Sequence, residues 1–254
     1  MSGALAGRSA LVTGAGRGIG RAVALGLAAE GARVALLSRT AHELSNVAAE
    51  VSDAGGTALT VSADVGDPTA VAEAAARVLE EFDEADILIN NAAVVAPLGP
   101  TLEVDADLWA AALAVNVVAV VRLSQLLLPG MIKREWGRIV NVSSGIAAHP
   151  ESMIGMNAYA SSKSALEAHS LNLAAELAGS GVTVNVYRPG SVDTAMQGWI
   201  RSQSPDEIGA TLHRRFVESF DRGTLITPEH SAQSLLARIT SNETGRIWSV
   251  GDVA

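Results

Sequence analysis

Short apolar runs alternate with longer amphipathic stretches along most of the chain. Most of the short runs are apolar at several successive positions, which is typical of strands buried on both faces of a parallel sheet. They predict seven strands: Ser9–Thr13, Arg33–Leu37, Ala58–Ser62, Asp86–Asn90, Arg138–Val142, Thr183–Arg188 and Arg246–Val250. The longer stretches predict helices at Ile19–Glu30, Ala41–Ala54, Thr69–Phe82, Asp105–Lys133, Ala158–Gly179 and Pro228–Thr240.

This alternation predicts right-handed βαβ units, and therefore an α/β fold with one doubly wound parallel sheet flanked by helices. We expect residues 1–254 to form a single domain, because no Pro/Gly/Ser-rich linker divides the chain. Residues 194–222 fit neither period and carry Met196, Trp199 and Ile200 among many charges, so we interpret them as a helical lid over a substrate. Ligands of such sheets lie beyond the carboxyl ends of the strands, so functional side chains should follow strands.

The composition excludes several kinds of partner and site. The chain has 27 acidic and 18 basic residues, a net charge of −9, and no run of basic residues, which argues against nucleic acid and an anionic membrane surface. Because there are no cysteines, disulfides, thiolate catalysis and zinc–sulfur sites are excluded. The five histidines show no metal-ligand spacing, so we expect no metal.

Two further features bear on location. Residues 1–8 lack the basic-then-apolar pattern of a signal peptide. The most apolar stretch, Ala110–Val121, is interrupted by Asn116 and followed by Arg122, so we do not expect it to cross a bilayer. These features predict a cytoplasmic protein.

A glycine-rich segment, Thr13–Gly20, joins the first predicted strand to the first predicted helix. Glycines at Gly14, Gly18 and Gly20 allow a tight turn and a close approach to a pyrophosphate, and the helix N-terminus attracts its charge. The segment therefore predicts a dinucleotide site.

The end of the second strand indicates which dinucleotide is preferred. NAD sites usually have an acidic residue there for the ribose hydroxyls, whereas this strand ends in Ser38 and Arg39. Arg39, with Arg17 from the glycine loop, offers charge-assisted hydrogen bonds to a 2′-phosphate, each worth about 1.5–3 kcal/mol. One such contact gives roughly a tenfold to hundredfold preference for NADP(H). An NAD-dependent enzyme is the alternative.

Tyr159 and Lys163 stand four residues apart at the start of a predicted helix, so their side chains share one face. A nearby cation favours the phenolate, and we therefore expect Lys163 to lower the pKa of Tyr159 and fit it for general acid and base catalysis. Ser143 and Ser144 follow the fifth strand, where Ser144 could hold a substrate oxygen; capping a turn is the alternative role for either serine.

With these residues in place, the chain resembles a classical short-chain dehydrogenase/reductase over nearly its whole length, and the resemblance implies a Rossmann-type fold. The matching pieces, in family order, are Thr13-Gly14, Gly18-Ile19-Gly20, Asp64-Val65, Asn90-Asn91-Ala92, Asn116, Ser144, Tyr159, Lys163, Pro189-Gly190 and Thr194. Two departures are Ala93, where the family commonly has glycine, and an end at Val250–Ala254 without the family's glycine-rich tail. The second departure puts the pocket shape and the assembly in question.

The resemblance implies four catalytic residues: Asn116, Ser144, Tyr159 and Lys163. In it Asn116 bends its helix and holds a water that links Lys163 to solvent, and Lys163 also binds the nicotinamide ribose. Asp64 and Val65 contact the adenine. The full set expected at the cofactor is Gly14, Arg17, Gly18, Ile19, Gly20, Ser38, Arg39, Asp64, Val65, Asn91, Ala92, Tyr159, Lys163, Pro189, Gly190, Val192 and Thr194. The resemblance also implies a homotetramer, or a homodimer, whose interface includes the two helices that contain Asn116 and Tyr159.

The substrate is predicted only in outline. Apolar residues of the loop before Tyr159 and of the lid suggest a ketone or secondary alcohol with a moderately apolar body. These are Val94, Val95, Ile146, Met153, Ile154, Met156, Met196, Trp199 and Ile200. Arg214 and Arg215 could meet an anionic substrate, although an exposed helical face explains them as well.

Two alternative functions stay open. One is a cofactor-sensing binding protein without catalysis, which would usually have lost Tyr159 or Lys163. The other is an intramolecular redox enzyme such as a sugar epimerase, whose relatives run longer and carry an extra substrate domain.

Overall fold

A computed structural model describes residues 3–252. The first two residues of the segment that lacks a signal-peptide pattern, and Val253–Ala254 at the other end of the sequence, lie outside the described residues.

The seven strands form one parallel sheet, as the apolar runs predict. They are β1 (Ser9–Thr13), β2 (Arg33–Ser38), β3 (Thr57–Ser62), β4 (Ile87–Asn90), β5 (Gly137–Val142), β6 (Val182–Arg188) and β7 (Ile247–Ser249). No strand end differs from its predicted position by more than one residue. The order β3-β2-β1-β4-β5-β6-β7 reverses direction between β1 and β4, and this switch point is where a ligand is expected. The prediction of a doubly wound α/β fold is confirmed.

Helices cover both faces of the sheet. They are α1 (Gly18–Ala29), α2 (Ala41–Asp53), α3 (Pro68–Phe82), α4 (Ala106–Leu113), α5 (Ala119–Lys133), α6 (Asn157–Glu176), α7 (Ala195–Arg201), α8 (Pro205–Ile208), α9 (Ala210–Asp221) and α10 (Pro228–Leu236). α6 ends three residues before the predicted Gly179, because Gly179 and Gly181 adopt φ values of 81° and 79° in the turn that follows.

The sheet separates two apolar cores. In β1, Ala10 and Val12 pack against one helix layer, whereas Leu11 packs against the other. The first layer contains α1, α2 and α10, and the second contains α3, α5 and the end of α6. Burial on both faces explains why the strands are apolar throughout rather than at alternate positions.

The long helix at residues 106–133 consists of α4, a π-helical segment at residues 114–118, and α5. By length and composition alone this helix could cross a membrane, although the core helices of globular proteins pass the same test. The sequence predicts no membrane span here, because Asn116 interrupts the apolar stretch and Arg122 follows it. In the fold it contacts α3, α6 and β5.

Residues 194–222 contain α7, α8 and α9. Ile200, Ile208, Leu212 and Phe216 from this stretch form a third apolar cluster with Val95, Ile146, Met156 and Ala160. The stretch thus packs over the loops that follow β4 and β5. Its action as a lid stays a prediction.

Candidate active site

A cleft of about 470 Å³ runs along the carboxyl ends of the strands at the switch point. In the loop after β1, Gly14 and Gly18 have φ values of 65° and 56°, which glycine adopts without strain. A Cβ on Gly20 would collide with the carbonyl oxygen of Gly14. Glycines at these positions therefore allow a tight loop, and α1 begins at the cleft, where Gly18 and Ile19 line it and the N-cap Arg17 makes no side-chain capping bond.

Thr13 fixes the glycine loop to the loop that follows β4. Its Oγ1 accepts hydrogen bonds from the backbone N–H groups of Asn91 and Ala92, both at 2.9 Å. The Asn91 side chain donates to the Thr13 carbonyl at 2.9 Å. Both Asn91 and Ala92 line the cleft. Thr13 was predicted only as part of the glycine-rich motif; its hydroxyl at the last position of a strand was the signal for this second role.

The glycine loop and the end of β2 each contribute an arginine to the lining of the cleft, Arg17 and Arg39. Arg17 Nη1 lies 3.3 Å from Glu43 Oε1, and Arg39 Nη1 lies 3.9 Å from Asp64 Oδ2. The arginine side chains are 67% and 68% exposed, so both are reachable by a ligand. Glu43 could not be found from the sequence, because only the packing of α2 beside the glycine loop brings its carboxylate to Arg17.

The residues present fit a nicotinamide dinucleotide. The glycine loop lacks the Cβ atoms that would block a pyrophosphate, and Arg17 and Arg39 stand at one end of the cleft. Tyr159 and Lys163 line the same cleft. Among residues 3–252, no group of three or more His, Asp or Glu side chains is placed to hold a metal ion.

Tyr159 and Lys163 lie one turn apart on α6, and burial changes both pKa values. The Nζ of Lys163 donates to the Val142 carbonyl at 2.7 Å and lies 5.6 Å from the centre of the Tyr159 ring. Burial raises the pKa of Tyr159 to about 12, and a hydrogen bond with Ser144 partly opposes the rise. Burial lowers the pKa of Lys163 to about 8, and the Glu167 carboxylate opposes that fall.

The prediction that Lys163 lowers the pKa of Tyr159 is wrong for the chain itself. That prediction considered the charge of Lys163 and not the burial of the phenol. Withdrawal from water destabilises the Tyr159 phenolate. Lys163 does not offset this, because its ammonium group donates to the Val142 carbonyl and burial lowers its pKa. Tyr159 is therefore protonated near neutral pH, which is the form that donates a proton.

Ser144 lies two residues beyond the end of β5. It lines a second cavity beside Tyr159. It also caps a short 3₁₀ turn, where its Oγ accepts from the N–H of Ile146 at 3.4 Å.

Asn116 lies buried in the π-helical segment of the long helix. Its Oδ1 accepts from the N–H of Val94 and its Nδ2 donates to the Val94 carbonyl, each at 2.8 Å. Nδ2 also donates to Ser162 Oγ at 2.9 Å. Asn116 thus ties the long helix to the loop after β4 and to α6. Its role in a water path from Lys163 stays a prediction.

An ion pair lies next to Lys163. Arg188 donates to both carboxylate oxygens of Glu167, at 2.8 and 2.6 Å, and Ser143 donates to the same carboxylate at 2.7 Å. Arg188 is the last residue of β6, so the pair ties α6 to the strand end before Pro189. Glu167 is not among the predicted site residues, although its place four residues after Lys163 on one helix face was a usable signal.

A second cavity, of about 200 Å³, opens beside Ser144 and Tyr159. Its apolar wall comes from the loops after β4 and β5 and from the lid: Val95, Met153, Met156, Met196, Ile200 and Phe216. Four predicted wall residues lie elsewhere. Ile154 is 85% exposed, Ile146 is buried in the third apolar cluster, and Val94 and Trp199 line the first cleft.

All the predicted site residues except Gly20 and Asn116 line one of the two cavities. Pro189 and Thr194, which follow β6, line both, and Gly190 and Val192 line the second. The two excluded residues act through packing and hydrogen bonds on residues that do line the cavities. The arrangement places a protonated phenol where a dinucleotide-sized cleft meets a smaller cavity.

Comparison with known proteins identifies relatives. The family described as short chain dehydrogenase matches residues 8–205. A short chain dehydrogenase from Pseudocercospora fijiensis is 38% identical over 196 residues, and this chain spans 62% of its length. The 2,3-dihydro-2,3-dihydroxybenzoate dehydrogenase of Escherichia coli (strain K12) is 34% identical over 233 residues, which cover 91% of this chain and 88% of that protein.

A solved structure is also similar. It is provisionally named an NAD(P)-dependent gluconate 5-dehydrogenase from Beutenbergia cavernae and contains NADP at low occupancy. The TM-score is 0.84 at 35% identity, over 97% of this chain and 96% of that one.

Proposed function

Because the chain belongs to the short-chain dehydrogenase family, we propose that it is an NADP(H)-dependent oxidoreductase that acts on a ketone or secondary alcohol, with Tyr159 as the general acid and base. The observation that carries this proposal is the position of Tyr159, which lines both the dinucleotide-sized cleft and the smaller cavity. A substrate oxygen in the smaller cavity would lie between Tyr159 and Ser144.

When bound, the cofactor supplies the hydride in reduction and accepts it in oxidation, and its oxidised form adds a positive charge that favours the phenolate. Ser144 holds the substrate oxygen towards the Tyr159 hydroxyl. In reduction Tyr159 donates its proton to that oxygen, and in oxidation the Tyr159 phenolate takes the proton of the substrate hydroxyl. Lys163 and Asn116 keep the roles implied by the resemblance, which are ribose binding and a proton path to solvent.

The preference for NADP(H) rests on Ser38, Arg39 and Arg17 at the end of the cleft. Each arginine has a carboxylate partner, Glu43 or Asp64, in an exposed pair of little intrinsic strength. A 2′-phosphate carries more charge than a carboxylate and accepts hydrogen bonds from both guanidinium groups. It would therefore replace the carboxylates as their partner.

The test of this preference is the value of kcat/KM with each cofactor, measured with the same carbonyl substrate. We expect the value for NADPH to exceed that for NADH by about tenfold or more, from one charge-assisted contact. Equal values would contradict the preference and favour the NAD-dependent alternative.

A cofactor-sensing binding protein is the candidate function from a different class. The presence of Asn116, Ser144, Tyr159 and Lys163 in one constellation argues against it, since a protein that only senses the cofactor needs no acid. If wild-type protein and Tyr159→Phe oxidised NADPH equally slowly with every carbonyl compound, we would favour the sensor.

We further propose a small-molecule substrate, a cytoplasmic location and a homotetramer or homodimer. The support for assembly is a set of apolar side chains that lie 39–58% exposed along the long helix and α6: Leu108, Val118, Leu126, Ile132 and Leu171. Water contact on two neighbouring helices is unfavourable for these groups, and a second copy of the chain would cover them.

A further inference from the structure

One basic residue, the solvent-exposed Arg215, contributes to the wall of the cavity that we assign to the substrate. Arg215 of α9 lines the cavity, whereas its neighbour Arg214 does not. The lining residues include no Asp or Glu. The cavity wall therefore has one permanent positive charge and no negative charge to balance it. The sequence offered Arg214 and Arg215 equally as partners of an anionic substrate, and the structure favours Arg215.

The guanidinium of Arg215 is anchored but not neutralised. Its Nη1 donates to the Ser152 carbonyl at 2.7 Å, which holds it against the loop after β5. Within residues 3–252 it forms no ion pair, while Glu218 of the same helix is paired with Arg222 at 3.3 Å. A guanidinium has five N–H donors, so donors remain for a ligand.

A second polar group of the same wall lacks a partner. The Oε1 atom of Gln197, on α7, is buried and accepts no hydrogen bond from the described residues, and Gln197 lines the cavity. A buried acceptor without a donor is costly, and turning the Gln197 amide towards the cavity would let a ligand hydroxyl satisfy it. The remaining wall is largely apolar side chains, with methionine prominent.

We propose that the substrate is a small hydroxylated carboxylic acid or its oxo counterpart, with the carboxylate on Arg215, a second hydroxyl on Gln197 and the reacting oxygen at Tyr159. The inference rests on the proposed oxidoreductase function. In oxidation the carbinol carbon loses a hydride to NADP⁺ and its hydroxyl loses a proton to the Tyr159 phenolate, which gives a ketone and NADPH. Reduction is the reverse.

The test uses oxo acids of increasing chain length, each paired with its methyl ester, and NADPH oxidation by wild type, Arg215→Gln, Arg215→Lys and Arg214→Gln. We expect wild type to prefer acids over esters. Arg215→Gln should lower kcat/KM for acids by about tenfold or more and leave that for esters within about twofold, since one charge-assisted bond is lost. Arg215→Lys should recover part of the loss, and Arg214→Gln should behave as wild type.

A second arm compares each favoured oxo acid with a hydroxylated analogue. Gln197→Leu should remove an advantage of about threefold to tenfold that the hydroxyl gives wild type, which is the effect of one neutral hydrogen bond. Unchanged thermal unfolding midpoints would show that every variant folds.

The experiment distinguishes a failure of the substrate inference from a failure of the proposed oxidoreductase function. Esters reduced as well as acids by wild type, or equal losses in Arg215→Gln and Arg214→Gln, would overturn the inference and leave the oxidoreductase function standing. If wild type reduced neither acids nor esters, the inference would fail; the oxidoreductase function would fail with it only if no other carbonyl compound supported NADPH oxidation.

Discussion

Among single residues, Tyr159 and Lys163 form a pair in which burial disfavours the charged form of each side chain. Burial raises the pKa of Tyr159 to about 12 and lowers that of Lys163 to about 8. The phenol therefore keeps its proton at neutral pH, while the ammonium begins to lose its proton just above it. A site with this protonation is set for donating a proton to a carbonyl, and burying Lys163 in charged form costs stability.

The burial of Lys163 predicts a pH-dependent stability. Its pKa is about 8 in the fold against 10.5 in water, so between these values the unfolded chain binds more protons and stability rises with pH. Lys163→Met removes this dependence. We expect the unfolding free energy of wild type, relative to Lys163→Met, to increase by about 2 kcal/mol from about pH 7.5 to about pH 9.5.

Denaturant unfolding of wild type and Lys163→Met across that pH range measures the difference in unfolding free energy. The contribution from titration of Tyr159 is the same in both proteins and cancels in the difference. Lys133→Met, on an exposed part of α5, is the control and should show no such change relative to wild type. A difference that stays flat or falls with pH would show that Lys163 is not buried as described.

Glu43 is expected to oppose the preference for NADP(H). A Cβ on Gly16 would lie 2.9 Å from a Glu43 carboxylate oxygen and 3.1 Å from Ser38 Oγ, so this carboxylate lies at the surface that the 2′-phosphate would use. Removing one such charge changes binding of an anion by about 1 kcal/mol in a water-like dielectric at about 4 Å, or roughly fivefold. Glu43→Gln should therefore raise the ratio of kcat/KM for NADPH to that for NADH by about fivefold.

Calorimetric titration with adenosine 2′,5′-bisphosphate and with 5′-AMP measures the same effect without catalysis. Only the bisphosphate should bind more tightly to Glu43→Gln. Glu73→Gln, on the exposed face of α3, should leave both affinities unchanged. A lower affinity of Glu43→Gln for the bisphosphate would mean that Glu43 supports the phosphate site by holding Arg17.

The sequence predicts the residues that follow strands, because strand ends in a parallel sheet meet at one edge. Ser144, Arg39 and Asn91 belong to this group, whereas Tyr159 was predicted from its spacing to Lys163 on one helix. The contacts of Glu43, Glu167 and Arg215 could not be predicted from the sequence. Each residue lies on a helix, and the rotation of that helix against its neighbours decides which groups its side chain contacts. The predicted direction of the Tyr159 pKa shift was wrong for a related reason: burial depends on how the fold packs and cannot be inferred from residue spacing.

At the scale of elements, the junction of β1 with α1 depends on one close approach. A Cβ on Gly20 would collide with the Gly14 carbonyl and lie 2.5 Å from Asn91 Nδ2. Gly20→Ala should lower the unfolding free energy by about 1–3 kcal/mol through overpacking, and weaken NADP(H) binding because the glycine loop must shift.

Gly198→Ala is the matched control. Gly198 lies inside α7, where an added Cβ meets only an Arg201 nitrogen at 3.8 Å. This substitution should raise stability by up to about 1 kcal/mol through helix propensity. Denaturant unfolding checks both variants, and a Gly20→Ala protein as stable as wild type would contradict the described approach.

The elements themselves were predictable wherever the period was clear. Every strand and most helix ends follow from apolar runs and glycines, because both faces of the sheet are buried. The three helices of residues 194–222 were not separable in sequence. Their apolar side chains pack on loops rather than on the sheet, so no single helical period runs through the stretch.

At the scale of the whole molecule, the exposed apolar side chains of the long helix and α6 predict self-association. Sedimentation velocity at micromolar concentration should show a tetramer or dimer. Leu126→Lys should shift the protein to smaller species, because a charge would be buried in the interface. Leu79→Lys, on the outer face of α3, should leave the assembly unchanged. A wild-type protein that sediments only as a monomer would contradict this prediction.

Tyr159 is the proton donor that we propose for an NADPH-dependent reduction. The most direct test of this role is kcat/KM for NADPH oxidation with a reducible carbonyl compound, by wild type and Tyr159→Phe, with the Kd for NADPH measured on both. We predict a fall of about 10²–10⁴ in kcat/KM, the usual contribution of a positioned acid, with a Kd within about fivefold. Equal kcat/KM values for the two proteins would contradict the account.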